Sequence, residues 1–102
     1  MAKAQFFMAS CDRMGATYRK HNNITESFNA NARILNWISP ASGLFLVKTT
    51  AETNASDILS AITAAANVDV FVAPLDVHDY SFSLMKDEAE RTSKWIARHK
   101  EP

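Results

Sequence analysis

Residues 34–49 read ILNWISPASGLFLVKT, and the fold turns on how they are divided. Ser39-Pro40-Ala41-Ser42-Gly43 is turn chemistry: Pro fixes φ near −65° and Gly accepts φ > 0. LFLVKT after it is rich in β-formers and ends near Lys48. The stretch therefore predicts two strands joined by a tight turn. Were its first arm a helix instead, the chain would alternate strand and helix throughout, giving a small doubly wound α/β fold.

Working outward, AQFFMASC (4–11) reads as a short strand, apolar on both faces and so central in a sheet. DRMGATYRKHNN (12–23) reads as a basic loop opened by Asp and Gly. Ile24, Phe28, Ala32 and Leu35 recur at intervals of four and three, a helical stripe that Asn23 or Thr25 would cap. After the hairpin, Asn54 with Asp57 three residues on resembles a capping box. Ile58, Leu59, Ile62 and Ala65 or Ala66 would form that helix's buried face, with Asn67 as a left-handed stop. VDVFVAPL (68–75) reads as a strand that Pro74 ends or places at an edge. DVHDYSF is a polar connection, and residues 84–99 form a last helix. Its apolar face is Leu84, Met85, Ala89, Thr92, Trp95 and Ile96. Asp87–Arg91 and Glu90–Lys94 are i,i+4 pairs on its outer side.

The order is strand, helix, strand, strand, helix, strand, helix. That predicts an α+β domain of the ferredoxin-like βαββαβ plan with an added C-terminal helix. In this plan two helices cover one face of an antiparallel sheet. The whole chain, 1–102, is one domain with its core in 4–75 and its extra helix at 84–99. An open four-stranded sheet leaves a face or an edge to cover, which predicts a homodimer.

The bulk composition excludes several classes. Of 102 residues 47% are hydrophobic and 22% charged, ordinary for a globular chain. Two glycines leave no Gly-rich phosphate loop. The single Cys11 permits neither an internal disulfide nor a zinc cluster. No segment has the roughly 18 apolar residues of a membrane span, and the N-terminal run is too short for a signal peptide. The expected location is cytoplasmic, with no membrane partner. Formal net charge is zero but uneven. Residues 1–50 carry six basic and two acidic residues; residues 51–102 carry five basic and nine acidic. The basic half suits a polyanion.

Candidate functional residues gather where the first strand ends. AQFFMASCDRMG delivers Cys11, Asp12 and Arg13 in succession at a strand tip. Asp12 is either a turn former, bonding nearby backbone N–H groups, or a site carboxylate. Cys11 reads as a small buried hydrophobe, since His21, the nearest base, lies far along the loop. Arg13, Arg19 and Lys20 supply cations for phosphates, and Lys48 is a fourth. Asp76, His78 and Asp79 could bind a metal or do acid–base work, or simply form a solvated loop. An RNA-recognition reading of SGLFLVKT fails on phase. The stacking positions after Gly43 hold Leu44 and Leu46, and Phe45 faces the other side.

The pieces FFMASCD, NWISPASGLFLVKT, NASDILSAI and VDVFVAPL together resemble small proteins related to the dimeric, nuclease-like subunit of CRISPR adaptation. Their short bacterial and phage relatives are the nearer likeness. The resemblance implies a dimer acting on, or clamping, DNA or RNA. It implies that Asp12 is the metal ligand and catalytic carboxylate, with Mg²⁺ or Mn²⁺ as cofactor. One carboxylate from each of two subunits can hold such an ion, because it keeps several waters. Two departures stand out. Cys11 replaces the usual Tyr before Asp, and the tail after residue 75 is a loop and helix where those subunits often carry another strand. Function is therefore expected in one of three classes: a nucleic-acid-associated dimer that cleaves or clamps, a non-enzymatic protein-interaction module, or a small-ligand regulatory domain.

Overall fold

The computed structural model describes residues 3–100. Its elements are β1 (Gln5–Asp12), α1 (Arg19–Ala30), β2 (Ile34–Ala41), β3 (Leu44–Thr49), α2 (Ala55–Ala65), β4 (Asp69–Pro74) and α3 (Lys86–His99). The hairpin expected at 34–49 forms. Its first strand runs on through Pro40 to Ala41, so the turn contracts to Ser42-Gly43. The strands form one antiparallel sheet in the order β2-β3-β1-β4. Sheet and helices make a compact α+β fold, and the doubly wound alternative does not occur.

Strand alternation sorts the side chains of β1. Phe7, Ala9 and Cys11 point to one face and are buried there. They join Ile24 and Phe28 of α1, Phe45 and Val47 of β3, and Ile58 and Ile62 of α2. Phe6 and Met8 point to the other face, where α3 lies. That second core holds Ile38, Leu46, Val77, Trp95 and Ile96. Phe6 meets the edge of the Trp95 ring at 6.0 Å, and the Trp95 Nε1–H donates to Asn36 Oδ1 at 3.0 Å.

The position of α3 corrects the ferredoxin-like plan expected from the sequence. That plan leaves one face of the sheet bare. Here α1 and α2 cover one face, the β2-β3-β1-β4 sheet lies in the middle, and α3 crosses the second face along β2, making three layers. The physical reason is the run Thr92, Trp95, Ile96, all buried, which gives α3 an apolar stripe matching Ile38 and Leu46. The open face that motivated a homodimer is largely closed from within the chain. What stays open is the β4 side, where Phe71 is 67% exposed.

Several local expectations also change. Helix α1 starts at Arg19, not near Asn23, so Arg19 and Lys20 occupy its first turn. Ala32 lies beyond the helix, and Leu35 belongs to β2, where it is exposed. Only Ile24 and Phe28 of the expected stripe are helical and buried. The helix has no side-chain cap at Tyr18, so packing onto the core holds it. Helix α2 does carry the capping box: Asn54 accepts from the Asp57 N–H and the Asp57 carboxylate accepts from the Asn54 N–H. Leu59 is exposed rather than buried, and α2 ends at an extended Ala66 rather than a left-handed Asn67. Leu84 and Met85 precede α3, whose first residue is Lys86. Among the described residues the ion pairs are Arg13–Asp69 and Arg33–Asp57, so neither expected pair on α3 closes. Arg91 instead donates to the Ser39 carbonyl at 3.0 Å. Among the described residues, no helix is long and apolar enough to cross a membrane.

Candidate nucleic-acid interface

The alternation that buries Cys11 exposes its neighbours Ser10 and Asp12. Asp12 closes β1, and the register sets Asp69, the first residue of β4, directly opposite. Two carboxylates so placed repel each other. The next residue relieves this. Arg13 adopts φ +61°, and its Nε stands 3.1 Å from Asp69 Oδ2. The Arg13 N–H donates to Asp12 Oδ1 at 2.8 Å. Lys20 reaches back from α1 to donate to the Arg13 carbonyl at 2.7 Å and the Asn67 carbonyl at 2.9 Å. Asp12 therefore makes the local turn bond that one reading of the sequence expected.

Three of the expected site residues, Asp12, Arg13 and Lys20, thus come together, and Arg19 stands exposed beside Lys20. Lys48 does not join them. It pairs in register with Phe6, six residues before Asp12 along β1, which is about 20 Å away. Its charge acts instead on His99. Burial first, then Lys48 and Arg98, push the His99 imidazole below its ordinary range. Cys11 sits in the first core and burial pushes its thiol up, as suits a packing residue. Asp76 accepts from the His78 N–H at 2.9 Å, forming a turn beyond the far end of β4. That loop is remote from Asp12, because Leu75 bonds back to Phe6.

The residues around Asp12 do not fit a divalent cation as they stand. Asp69 is already paired with a guanidinium, and the Lys20 ammonium is tied into the same turn. Among the described residues, no three His, Cys, Asp or Glu side chains gather closely enough to hold an ion.

Beside this cluster runs a groove of about 650 Å³. The segment Met14–Tyr18 and the start of α1 form one wall, the β2–β3 hairpin another, and Glu88 and Arg91 of α3 its rim. Its aromatic content is high. The His21 ring stacks on Phe45 at 5.4 Å, which fixes its plane. Tyr18 stands edge-on to His21 at 6.4 Å and is 80% exposed. The Trp37 Nε1–H donates to Asn29 Oδ1 at 2.8 Å, which holds the indole in place. Sequence reasoning singled out none of Tyr18, Glu88 and Arg91 for the site. Tyr18 carried a signal, an aromatic next to Arg19 and Lys20. Glu88 and Arg91 carried none, since only the packing of α3 brings them to residues some seventy positions earlier. The hairpin and the tip of β1 are joined closely: the Cys11 N–H donates to the Gly43 carbonyl at 2.6 Å. Gly43 has φ +76°, and a Cβ there would run into the Cys11 carbonyl.

A scan against protein-family models, a search of curated proteins and a search of solved structures each return no match for this chain.

Proposed function

We propose that the chain is a nucleic-acid-associated protein that clamps a single strand at the Asp12 end of the sheet without cutting it. One observation carries this reading: exposed Tyr18 lines the groove together with Arg91 and directly precedes Arg19 and Lys20, whose ammonium bonds the Arg13 carbonyl. Single strands are held by cations on the backbone and aromatic faces under the bases. The Arg13–Asp69 pair does not stand in the way. Its side chains are 78% and 69% exposed, so the pair is worth little and can exchange for a phosphate. Asp12, Asp69 and Glu88 partly offset these cations, so the expected affinity is modest, on the order of 10⁻⁴ to 10⁻⁶ M. The turn bond of Asp12 and the cations gathered around it favour binding over metal-assisted cleavage.

A second copy fits the β4 edge. Among the described residues β4 pairs only with β1, its register has no bulge, and Phe71 is exposed on it. Edges of this kind invite another strand. The opposite edge, β2, is interrupted by register shifts and carries Pro40. In a β4–β4 pairing the two Asp12 residues would lie at least three strand spacings apart, a minimum of about 14 Å. That is too far to share one ion, which again favours a clamp.

The test is fluorescence anisotropy of labelled single- and double-stranded DNA and RNA against salt. Single strands should bind more tightly than duplexes. Arg19→Ala should weaken binding and flatten the salt slope by about 0.7, the share of one phosphate contact on a single strand. No salt-dependent binding of any of the four substrates would overturn the reading.

A further inference from the structure

The groove beside the cationic turn has a chemistry that backbone binding does not need. A polyanion asks only for positive charge, yet the rim of this groove presents a carboxylate. Glu88 is half-buried and, among the described residues, has no ion-pair partner. Arg91, one turn further along α3, spends one N–H on the Ser39 carbonyl and has four others to offer. Tyr18, His21 and Trp37 line the same groove, two of them with fixed rings. Aromatic faces with one acceptor group and one donor group describe a pocket for a flat, polar heterocycle. The volume, about 650 Å³, lies within the usual range for such sites.

We propose that this groove seats one unpaired nucleobase of the bound strand and prefers guanine. The inference rests on the single-strand reading above and adds base selection to it. Guanine offers two adjacent donors, N1–H and N2–H, that match the two oxygens of the Glu88 carboxylate. Its O6 and N7 are acceptors for a guanidinium such as Arg91. Thymine and uracil offer a single N–H flanked by two carbonyls, which a carboxylate repels. Tyr18, 80% exposed, closes over the base as a stacking face.

The experiment compares two labelled oligonucleotides of equal length and charge, one all thymidine and one with isolated guanosines between thymidines. They are titrated with the wild-type chain, Glu88→Gln, Tyr18→Ala and Arg19→Ala. The guanosine strand should bind roughly tenfold more tightly, the effect of one bidentate base contact. Glu88→Gln should erase that preference, while thymidine binding rises modestly because a carboxylate that offset the cations is gone. Tyr18→Ala should weaken both strands by roughly tenfold, the loss of one stacked base. Arg19→Ala should weaken both and keep the preference. Equal affinity for the two strands, or a preference that survives Glu88→Gln, overturns the base pocket and leaves the clamp standing. Failure of both strands to bind overturns both.

Discussion

The two ends of the sheet treat polar groups in opposite ways. At the end where β3 meets α2, the polar groups are paired. Thr49 and Thr53 are fully buried, and the Thr50 and Thr53 hydroxyls bond each other at 2.8 Å. The Gln5 side-chain amide donates to the Thr53 carbonyl at 2.9 Å and also to that of Ala51. Asn54 and Asp57 cap α2, and Arg33 holds the Asp57 carboxylate at 3.1 Å. The other end, where β1 and the hairpin stop, leaves Tyr18, Arg19 and most of Arg13 in solvent, and its helix has no side-chain cap. The first arrangement serves stability. The second leaves donors and an aromatic face unused, which is where a ligand would complete the bonding.

That contrast can be broken most severely at its hinge. Gly43→Ala sets a Cβ against the Cys11 carbonyl at a positive φ, so it should cost about 1–3 kcal/mol. It should also weaken nucleic-acid binding, because the hairpin is one wall of the groove. Urea unfolding and anisotropy would show both losses. A smaller effect separates the ends cleanly. Asn54→Ala removes the cap of α2 and should cost about 1 kcal/mol in urea unfolding. Oligonucleotide affinity should be unchanged, since the proposed site lies at the other end. A loss of affinity there would mean the two ends are not distinct. The smallest effect concerns His99, whose imidazole is held below its ordinary range by burial and by Lys48 and Arg98. A depressed folded-state value means that stability present at neutral pH is lost as pH falls below about 6.5. Unfolding at pH 7.5 and 5.5 should show this loss, and His99→Gln should reduce it. Because Lys48 acts here, its neutralisation should leave strand binding untouched.

How much of this was legible in the sequence depended on the range of each interaction. The hairpin could be read because Pro40 and Gly43 act locally, and the cap of α2 because Asn54 and Asp57 are three residues apart. The start of α1 could not. Its helix is held by Ile24 and Phe28 against the core, while Ala32 and Leu35 continued the period by chance into a turn and a strand. The layer made by α3 was hidden for the same reason. An amphipathic helix shows that it has an apolar face but not which surface receives it, and Trp95 finds Phe6 and Asn36 across long stretches of chain. At the site, the strand-tip position of Asp12 was visible from alternation. Its neighbour Asp69 was not, since facing residues depend on register. Lys48 was grouped with the other cations by charge alone, and the sheet carries it to the far end.

The most direct measurement is a ¹H–¹⁵N NMR titration of the labelled chain with a short single-stranded oligonucleotide. The account predicts amide shifts confined to residues 12–21, 38–43 and 87–91, fading as salt is raised. Shifts centred on residues 49–57 at the opposite end, or no shifts at any ratio of strand to protein, would contradict it.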